Sequence, residues 1–295
     1  MTNQSINFKR ERDFGDLFNA TFSFIGHEFK RLGTSVLYFV LPLLLLSAIS
    51  STIYSVKLQE TMQNMVSSAG DPDPFAMFTA MASISSYVFF NIILSLLATT
   101  MMLCTVYCYI KMYIHKGSAG FTVNDVWREV MKNFGRLLIA SVLIGLLVGV
   151  GFVFCILPGI YLGVALSIIF PILILEEINF SDAFSRSFKL MKSNWWMTFG
   201  VFIVAGIMIY ILSILLAVPS MIMGFKSMFF NIKQAQNVGM NFSIEFYVVT
   251  ALTNLISQFF TIIPIVLTAF IYYSLVEKHE KPSLIEKIGQ MNENE

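Results

Sequence analysis

Charged residues are scarce in this chain, and their scarcity indicates its class. Only 13% of its 295 residues are Asp, Glu, Lys or Arg, whereas 56% are hydrophobic. Soluble globular domains carry about 25% charged residues, so a soluble fold of this length is not expected. Several uncharged apolar runs of about 18 residues or more predict helices that cross a bilayer. The formal net charge of +1 gives no reason to expect a nucleic-acid partner.

Histidine and cysteine are also rare, and no cofactor or metal is expected. Three scattered histidines cannot supply the ligand sets of membrane hydroxylases or the paired His of a zinc-protease helix; they are His27, His115 and His279. Three thiols indicate neither a disulfide framework nor a tetrahedral metal site; they are Cys104, Cys108 and Cys155.

The middle of every predicted span lacks an ionisable residue. Ion-coupled carriers nearly always keep one there, so ion-coupled transport is not expected. Uncharged polar residues do occur inside the apolar runs and form a candidate site for a lipid or another weakly polar substrate. These are Asn91, Asn254, Ser257 and Gln258, with helix breaks expected at Pro42, Pro171, Pro219 and Pro264. Hydrogen bonding between helices is the simpler interpretation of the same residues.

What the sequence does contain is six apolar runs separated by polar segments. The predicted spans are about Ser35 to Val56, within Ser86 to Ile110, Leu137 to Ile156, Gly159 to Leu175, Trp196 to Ala217, and within Phe246 to Leu275. The sixth run is too long to lie untilted, so a bend at Pro264 or an interfacial part is expected. The polar segments 57–74 and 221–245 are predicted loops.

A tight hairpin is predicted for the third and fourth spans, because Pro158-Gly159 leaves almost no loop between them. With a turn near residue 157, Gly149 and Gly151 would face Ala165 and Gly163. Small residues at such positions let two membrane helices approach closely.

Three amphipathic segments precede the odd-numbered spans. Their apolar stripes have helical spacing, and Thr122 or Asn124 is a candidate cap for the second. The stripes contain Phe14, Leu17, Phe18, Phe22, Ile25, Phe29 and Leu32, then Val123, Val126, Trp127, Val130 and Phe134, then Phe180, Phe184, Phe188 and Met191. The predicted fold is all-α: a segment 1–34 with the first in-plane helix and no cleavable signal peptide, six transmembrane helices in three hairpins over 35–275, and a tail 276–295.

Basic residues are distributed unevenly between the two sides. With both termini inside, only Lys57, Lys226 and Lys233 of the 19 Lys and Arg residues lie outside. This asymmetry predicts cytoplasmic termini and three cytoplasmic amphipathic helices. Candidate contacts for anionic lipid and the membrane interface are Arg128, Lys132, Arg186, Lys189, Lys192, Trp195 and Trp196.

Glu176 and Glu177 close the fourth span and invite a catalytic interpretation. Paired glutamates occur in prenyl-endopeptidase-like membrane proteases, but those enzymes place Arg where this chain has Ser181, and they need further embedded His. The preferred interpretation is a polar stop at the inner interface that pairs with Arg or Lys of neighbouring cytoplasmic helices.

Several short segments resemble one bacterial family. They are Leu157-Pro158-Gly159-Ile160-Tyr161-Leu162, the closure from Pro171 to Glu176, the helix from Asp182-Ala183-Phe184 to Ser187, and Lys192-Ser193-Asn194-Trp195. This pattern is similar to the membrane domain that precedes the catalytic barrel in some bacterial glycerophosphoryl diester phosphodiesterases, and to related six-span proteins of unknown function. It is firmest over about 140–215. The barrel and its metal-binding cluster have no counterpart here, so the resemblance implies no phosphodiesterase activity.

Two functions from different classes follow. The first is a non-catalytic protein of the bacterial cytoplasmic membrane that interacts with lipid or serves as an envelope scaffold or membrane subunit. The alternative is a permease or flippase-like carrier that uses the polar residues between proline-broken helices. Expected partners are membrane lipids and a membrane or cytoplasmic protein; the oligomeric state stays open.

Overall fold

The computed structural model describes residues 6–67, 75–233 and 242–281. Within these ranges the chain forms ten helices and no strand. The helices are α1 (Phe14–Phe39), α2 (Leu41–Ser67), α3 (Ala76–Lys116), α4 (Val123–Phe154), α5 (Ile156–Leu166), α6 (Ile169–Leu175), α7 (Phe180–Met191), α8 (Trp195–Lys233), α9 (Ile244–Phe259) and α10 (Ile262–Glu280).

Six helical stretches are long and apolar enough to cross a membrane, and each overlaps one predicted span. They are Leu41–Gln63, Phe78–Lys116, Val123–Phe154, Ile156–Leu175, Trp195–Ser227 and Ile244–Glu280. The protein is therefore an all-α, multi-pass membrane protein, as its composition predicts.

Both predicted outer loops are shorter than expected. α2 continues to Ser67 and α8 to Lys233, so the first part of each predicted loop is helical. The stretch 57–67 contains no Gly or Pro and is rich in Gln, Met and other good helix formers. The Asp71-Pro72-Asp73-Pro74 motif lies outside the described residues.

The third and fourth spans form a tight hairpin, but its turn is at Cys155 rather than at Pro158-Gly159. Cys155 is extended, with φ −169° and ψ 146°, and Pro158 lies in the first turn of α5. A helix tolerates proline there because the first N–H groups have no partner within the helix.

The earlier turn shifts the register of the small residues. Gly151 lies against Gly159, so a Cβ built on Gly151 would come within 3.1 Å of the Gly159 Cα. A Cβ on Gly149 would meet nothing within 4 Å, and Gly163 faces Val148. The predicted pairing of Gly149 and Gly151 with Ala165 and Gly163 is therefore wrong, although the close approach of two helices is found.

The second predicted amphipathic helix is not a separate element. It forms the first turns of α4, which continues into the third span without interruption. Thr122 caps α4 and forms a capping box with Asp125. Of the two residues predicted as alternatives for this cap, it is therefore Thr122 that serves. Gly135 does not break the helix, since an internal glycine costs only about 1 kcal/mol relative to alanine.

Three of the four predicted proline breaks are found. α1 ends at Phe39 just before Pro42, α6 begins at Ile169 just before Pro171, and α10 begins at Ile262 just before Pro264. Proline lacks an N–H, and its ring crowds the carbonyl four residues earlier; for Pro171 and Pro264 these carbonyls belong to Ser167 and Phe260, which lie outside the helices. α8 continues through Pro219, so the break predicted there is absent; membrane helices tolerate such a proline through local adjustment.

Two compact units divide the chain, and α3 and α8 contribute to both. Within the described residues, unit 1 consists of 6–40, 99–207 and 261–281, and unit 2 of 41–67, 75–98, 208–233 and 242–260. The centre of unit 1 is α10, which packs against α1, α6 and α7. From Ile265 to Leu275 every residue of α10 is buried except the half-buried Tyr273, which is typical of a core helix.

Unit 2 is held by the packing of α2 on α9. Within it, the Tyr247 hydroxyl donates to Gln59, and the Thr253 hydroxyl lies 3.5 Å from the Leu216 carbonyl oxygen. Large apolar side chains such as Phe89 and Leu215 are exposed. They belong to membrane spans, where lipid takes the place of water.

Candidate functional site

The helix α7 has three distinct sides. Its inner side packs on α5 and α6 and is buried, with the Ser187 hydroxyl donating to the Ala165 carbonyl of α5. Phe180, Phe184 and Phe188 line a half-buried side. Lys189, in the last turn, and the following Lys192 are exposed. A helix with this division of residues fits the boundary between lipid and water.

An array of aromatic rings continues from α7 to the start of α8. Phe188 lies beside Tyr161 of α5, with ring centroids 6.4 Å apart, and Tyr161 stacks on Trp195 at 5.7 Å. The Trp195 indole N–H donates to the Tyr161 carbonyl oxygen at 3.3 Å. Trp196 is 78% exposed. Amphipathic aromatic rings are enriched at membrane interfaces, so the array has the composition of an interfacial belt.

Arg186 is half-buried on α7, whereas Lys189 of the same helix is exposed. Its Nε lies 2.5 Å from Glu176, and its Nη1 lies 2.8 Å from Glu280 at the end of α10. The Tyr272 hydroxyl also donates to Glu176, at 2.6 Å. Burial lowers the pKa of Arg186, but the hydrogen bonds with Glu280 and Glu176 outweigh it and raise that pKa above its ordinary value. The Arg186 guanidinium thus forms ion pairs with two carboxylates, whereas Lys189 is exposed.

Glu177 points away from Glu176's partners and interacts with α3. It adopts the left-handed conformation, with φ +57°, and its carboxylate accepts a hydrogen bond from the buried Lys111. Lys111 also donates to Glu129 of α4. The hydrogen bond from Lys111 holds the pKa of Glu177 below its ordinary value. Glu176 pairs with Arg186 of α7 as expected, whereas the partner of Glu177 lies on the spanning helix α3 rather than on a predicted cytoplasmic helix. Together these contacts link α3, α4, α7 and α10 at the end of the fourth span.

The remaining predicted lipid contacts lie on the first turns of α4. Arg128 and Lys132 are exposed and one turn apart, and the Lys132 Nζ is 3.9 Å from Glu177. Within the described residues, neither Arg128 nor Lys132 shares a hydrogen-bond or ion-pair partner with Lys189 or Lys192. The basic side chains therefore form separate groups on α4 and α7, and their role toward lipid stays a prediction.

The predicted polar site within the membrane lies in unit 2. Asn254 and Gln258 are exposed on α9, one turn apart, while Ser257 is half-buried on another side of the helix. Asn91 is half-buried on α3. The structure therefore places Asn254 and Gln258 on one side of α9 just before the break at Phe260, and Ser257 on another.

A feature absent from the sequence interpretation is the N-terminal hook, residues 6–12. Phe8 is only 2% exposed, and it stacks on Phe270 at 4.3 Å and meets Phe24 edge to face at 5.2 Å. Arg12 closes the hook, because its guanidinium donates to the carbonyls of residues 7, 8 and 10 and lies 4.8 Å from the Phe270 ring centroid. One aromatic residue within a charged segment was the only available signal.

A buried acid was also missed. Glu28 of α1 is 5% exposed, and the Tyr109 hydroxyl of α3 donates to its carboxylate at 2.5 Å. The signal was the charged position four residues after Phe24, on the inward side of α1. Among the described residues, His, Cys, Asp and Glu side chains form no group of three that could hold a metal.

A small cavity of about 40 Å³ lies in unit 1 between the hook, α8 and α10. Its polar lining includes Asn194 and Lys278, which hydrogen-bond to each other at 2.9 Å. One water needs about 10 to 15 Å³, so this cavity suits a few waters rather than a lipid.

The chain matches no protein-family model, no curated protein and no solved structure. The resemblance to the phosphodiesterase membrane domain therefore stays a prediction.

Proposed function

We propose that this protein is a non-catalytic scaffold or subunit of the bacterial cytoplasmic membrane that holds anionic lipid at its inner face. The observation that carries the proposal is the geometry of α7. Its inner side packs on α5 and α6, its three Phe residues form a half-buried side, and Lys189 and Lys192 are exposed. Apolar insertion combined with cationic side chains is the general basis for binding anionic membrane surfaces.

Both termini lie on the cytoplasmic side in this proposal, and the partners are membrane lipids and a membrane or cytoplasmic protein. The paired glutamates support a structural role for the end of the fourth span, because Glu176 and Glu177 are occupied by Arg186 and Lys111. Arg186 is then a positioning residue for α7, while Lys189 and Lys192 contact lipid.

The first test is native mass spectrometry of protein extracted gently from its own membrane. We expect wild type to retain anionic phospholipid in excess of its bulk proportion, and Phe184→Glu or Lys189→Gln with Lys192→Gln to lose most of that excess. Asn254→Ala with Gln258→Ala is the matched control and leaves it unchanged. Unaltered lipid in the α7 variants would contradict the proposal, and a co-purified protein would identify the subunit partner.

The alternative is a carrier of a lipid or another weakly polar substrate, and one observation favours it. Asn254 and Gln258 lie on one exposed side of α9 immediately before the break between α9 and α10. Interrupted helices with nearby polar groups form binding sites in many transporters. A stoichiometric lipid that is lost in Asn254→Ala or Gln258→Ala, together with lipid translocation in reconstituted vesicles, would establish this function instead.

A further inference from the structure

The inner part of α4 carries more positive charge than its neighbours neutralise. Lys111 is shared between Glu129 and Glu177. After the hydrogen bond and charge of Lys111, the charges of Lys132 and Arg136 also lower the pKa of Glu177. Lys132 is 63% exposed and reaches Glu177 only at 3.9 Å. Three cations thus act on two carboxylates, which leaves one positive charge unmatched.

Arg136 has a donor with nothing to bind. Its Nη2 is buried, yet it makes no hydrogen bond with any group in the ranges 6–67, 75–233 and 242–281. A buried donor without a partner costs about 1 to 3 kcal/mol, so an acceptor that reached this donor would stabilise the protein. Guanidinium groups favour phosphate because their N–H donors match its oxygens.

An exposed apolar strip follows these cations along α4, toward its C-terminal end. Arg136 lies one turn after Lys132, and the same side of α4 continues with Ile139, Leu143 and Leu146, which are 64%, 39% and 61% exposed. Ten residues of helix from Arg136 to Leu146 span about 15 Å, or half the hydrocarbon thickness of a bilayer. The strip therefore matches one leaflet in length.

We propose that Arg136 and Lys132 bind the phosphate of an anionic phospholipid whose acyl chain lies along Ile139, Leu143 and Leu146. This site rests on the proposed function, that anionic lipid is held at the inner face, and adds ligand residues on α4 to the lysines of α7. It also differs from α7 in mechanism, because the lipid is held by a specific phosphate contact rather than by general attraction to a charged surface.

Gly135 offers a way to test the site without removing charge. It is exposed between Lys132 and Ile139, and a Cβ added there meets nothing within 4 Å. A large side chain at this position would cover the exposed surface of α4 beside Lys132, and its Cβ has room there. Gly135→Trp is therefore a blocking variant, and Arg136→Gln is the variant that removes the phosphate ligand.

The experiment measures lipid binding to the purified full-length protein by native mass spectrometry. The probes are phosphatidylglycerol and phosphatidylcholine with identical acyl chains, and millimolar inorganic phosphate. We expect wild type to prefer phosphatidylglycerol about tenfold, Arg136→Gln to lose that preference, and Gly135→Trp to weaken binding of both lipids. Lys226→Gln, which removes an exposed cation of α8 in a segment assigned to the outside, is the matched control and keeps wild-type binding.

Two results would overturn the proposal. One is an unchanged preference in both Arg136→Gln and Gly135→Trp with unaltered melting temperatures. The other is complete displacement of the lipid by inorganic phosphate, which would make this a site for the free ion. Failure of the proposed function is seen separately, because Lys189→Gln with Lys192→Gln changes α7 alone. If that variant keeps all its lipid while Arg136→Gln loses one, the α4 site stands without the α7 role.

Discussion

Arg12 and Phe8 hold the N-terminal hook in place through a few contacts. The guanidinium donates hydrogen bonds to three backbone carbonyls, and the Phe8 ring contacts Phe24, Tyr113 and Phe270. Burying one Phe side chain contributes about 1.5 to 3 kcal/mol. A segment of charged composition is thereby tied to the core of unit 1.

Phe8→Ala is expected to destabilise the protein by about 3 kcal/mol, because it removes a buried ring and leaves a cavity. The measurement is the unfolding free energy or the thermal midpoint in a fixed detergent. Phe29→Ala is the control, since Phe29 is 69% exposed on α1. Equal midpoints for the two variants would show that the hook is not docked.

Glu177 makes part of the stability depend on pH. Its folded pKa lies below the ordinary 4.5, first through the hydrogen bond from Lys111 and then through the charges of Lys111 and Lys132. A carboxyl group whose pKa is lower in the folded state stabilises that state at every pH above its unfolded pKa. The contribution disappears as the pH falls through the folded pKa. The stabilisation is therefore complete at neutral pH and is lost at acid pH, below the ordinary value.

Glu177→Gln is expected to lower the thermal midpoint at pH 7 and to converge with wild type as the pH is lowered through this acid range. A melting series from neutral to acid pH in one detergent measures the convergence. Lys132→Gln should have a smaller effect because its Nζ is 3.9 Å away and mostly exposed. Parallel curves at every pH would argue against the ion pair.

At the scale of elements, the hairpin of α4 and α5 depends on backbone contact between glycines. Gly151→Ile should destabilise the protein by about 1 to 3 kcal/mol through overpacking, because a Cβ there lies 3.1 Å from the Gly159 Cα. Gly149→Ala is the control and should be neutral or stabilising, since its Cβ meets nothing within 4 Å. Thermal midpoints measure both, and a reversed order would restore the predicted register.

The elements also show where local patterns suffice. Apolar runs predict each span because a bilayer requires a minimum apolar length, and prolines indicate three of the four breaks because the ring acts on its own helix. The exact turn at Cys155 was not predictable, since Pro158 is compatible with both a turn and the first turn of a helix. The continuity of α4 was also missed, because interfacial and spanning helices share one backbone geometry.

At the scale of the whole molecule, the expected topology is testable by labelling. Ser185 on α7 and Ser243 before α9 are both exposed. In a variant without native cysteines, Ser243→Cys should react with a membrane-impermeant maleimide on intact cells, and Ser185→Cys only after permeabilisation. The reason is the excess of Lys and Arg in the segments assigned to the cytoplasm. The opposite labelling pattern would invert the proposed orientation and move α7 to the outer face.

Composition and periodicity alone determined that this protein is an all-α, multi-pass membrane protein with six spans, because the bilayer acts on each segment separately through its length and polarity. Tertiary structure decided which charges are available. It engages Arg186 with two carboxylates and leaves Lys189 exposed, buries Glu28 against Tyr109, and leaves an Arg136 donor unsatisfied. These outcomes depend on which helices pack against each other. Local sequence patterns do not predict contacts between residues that are far apart in the chain.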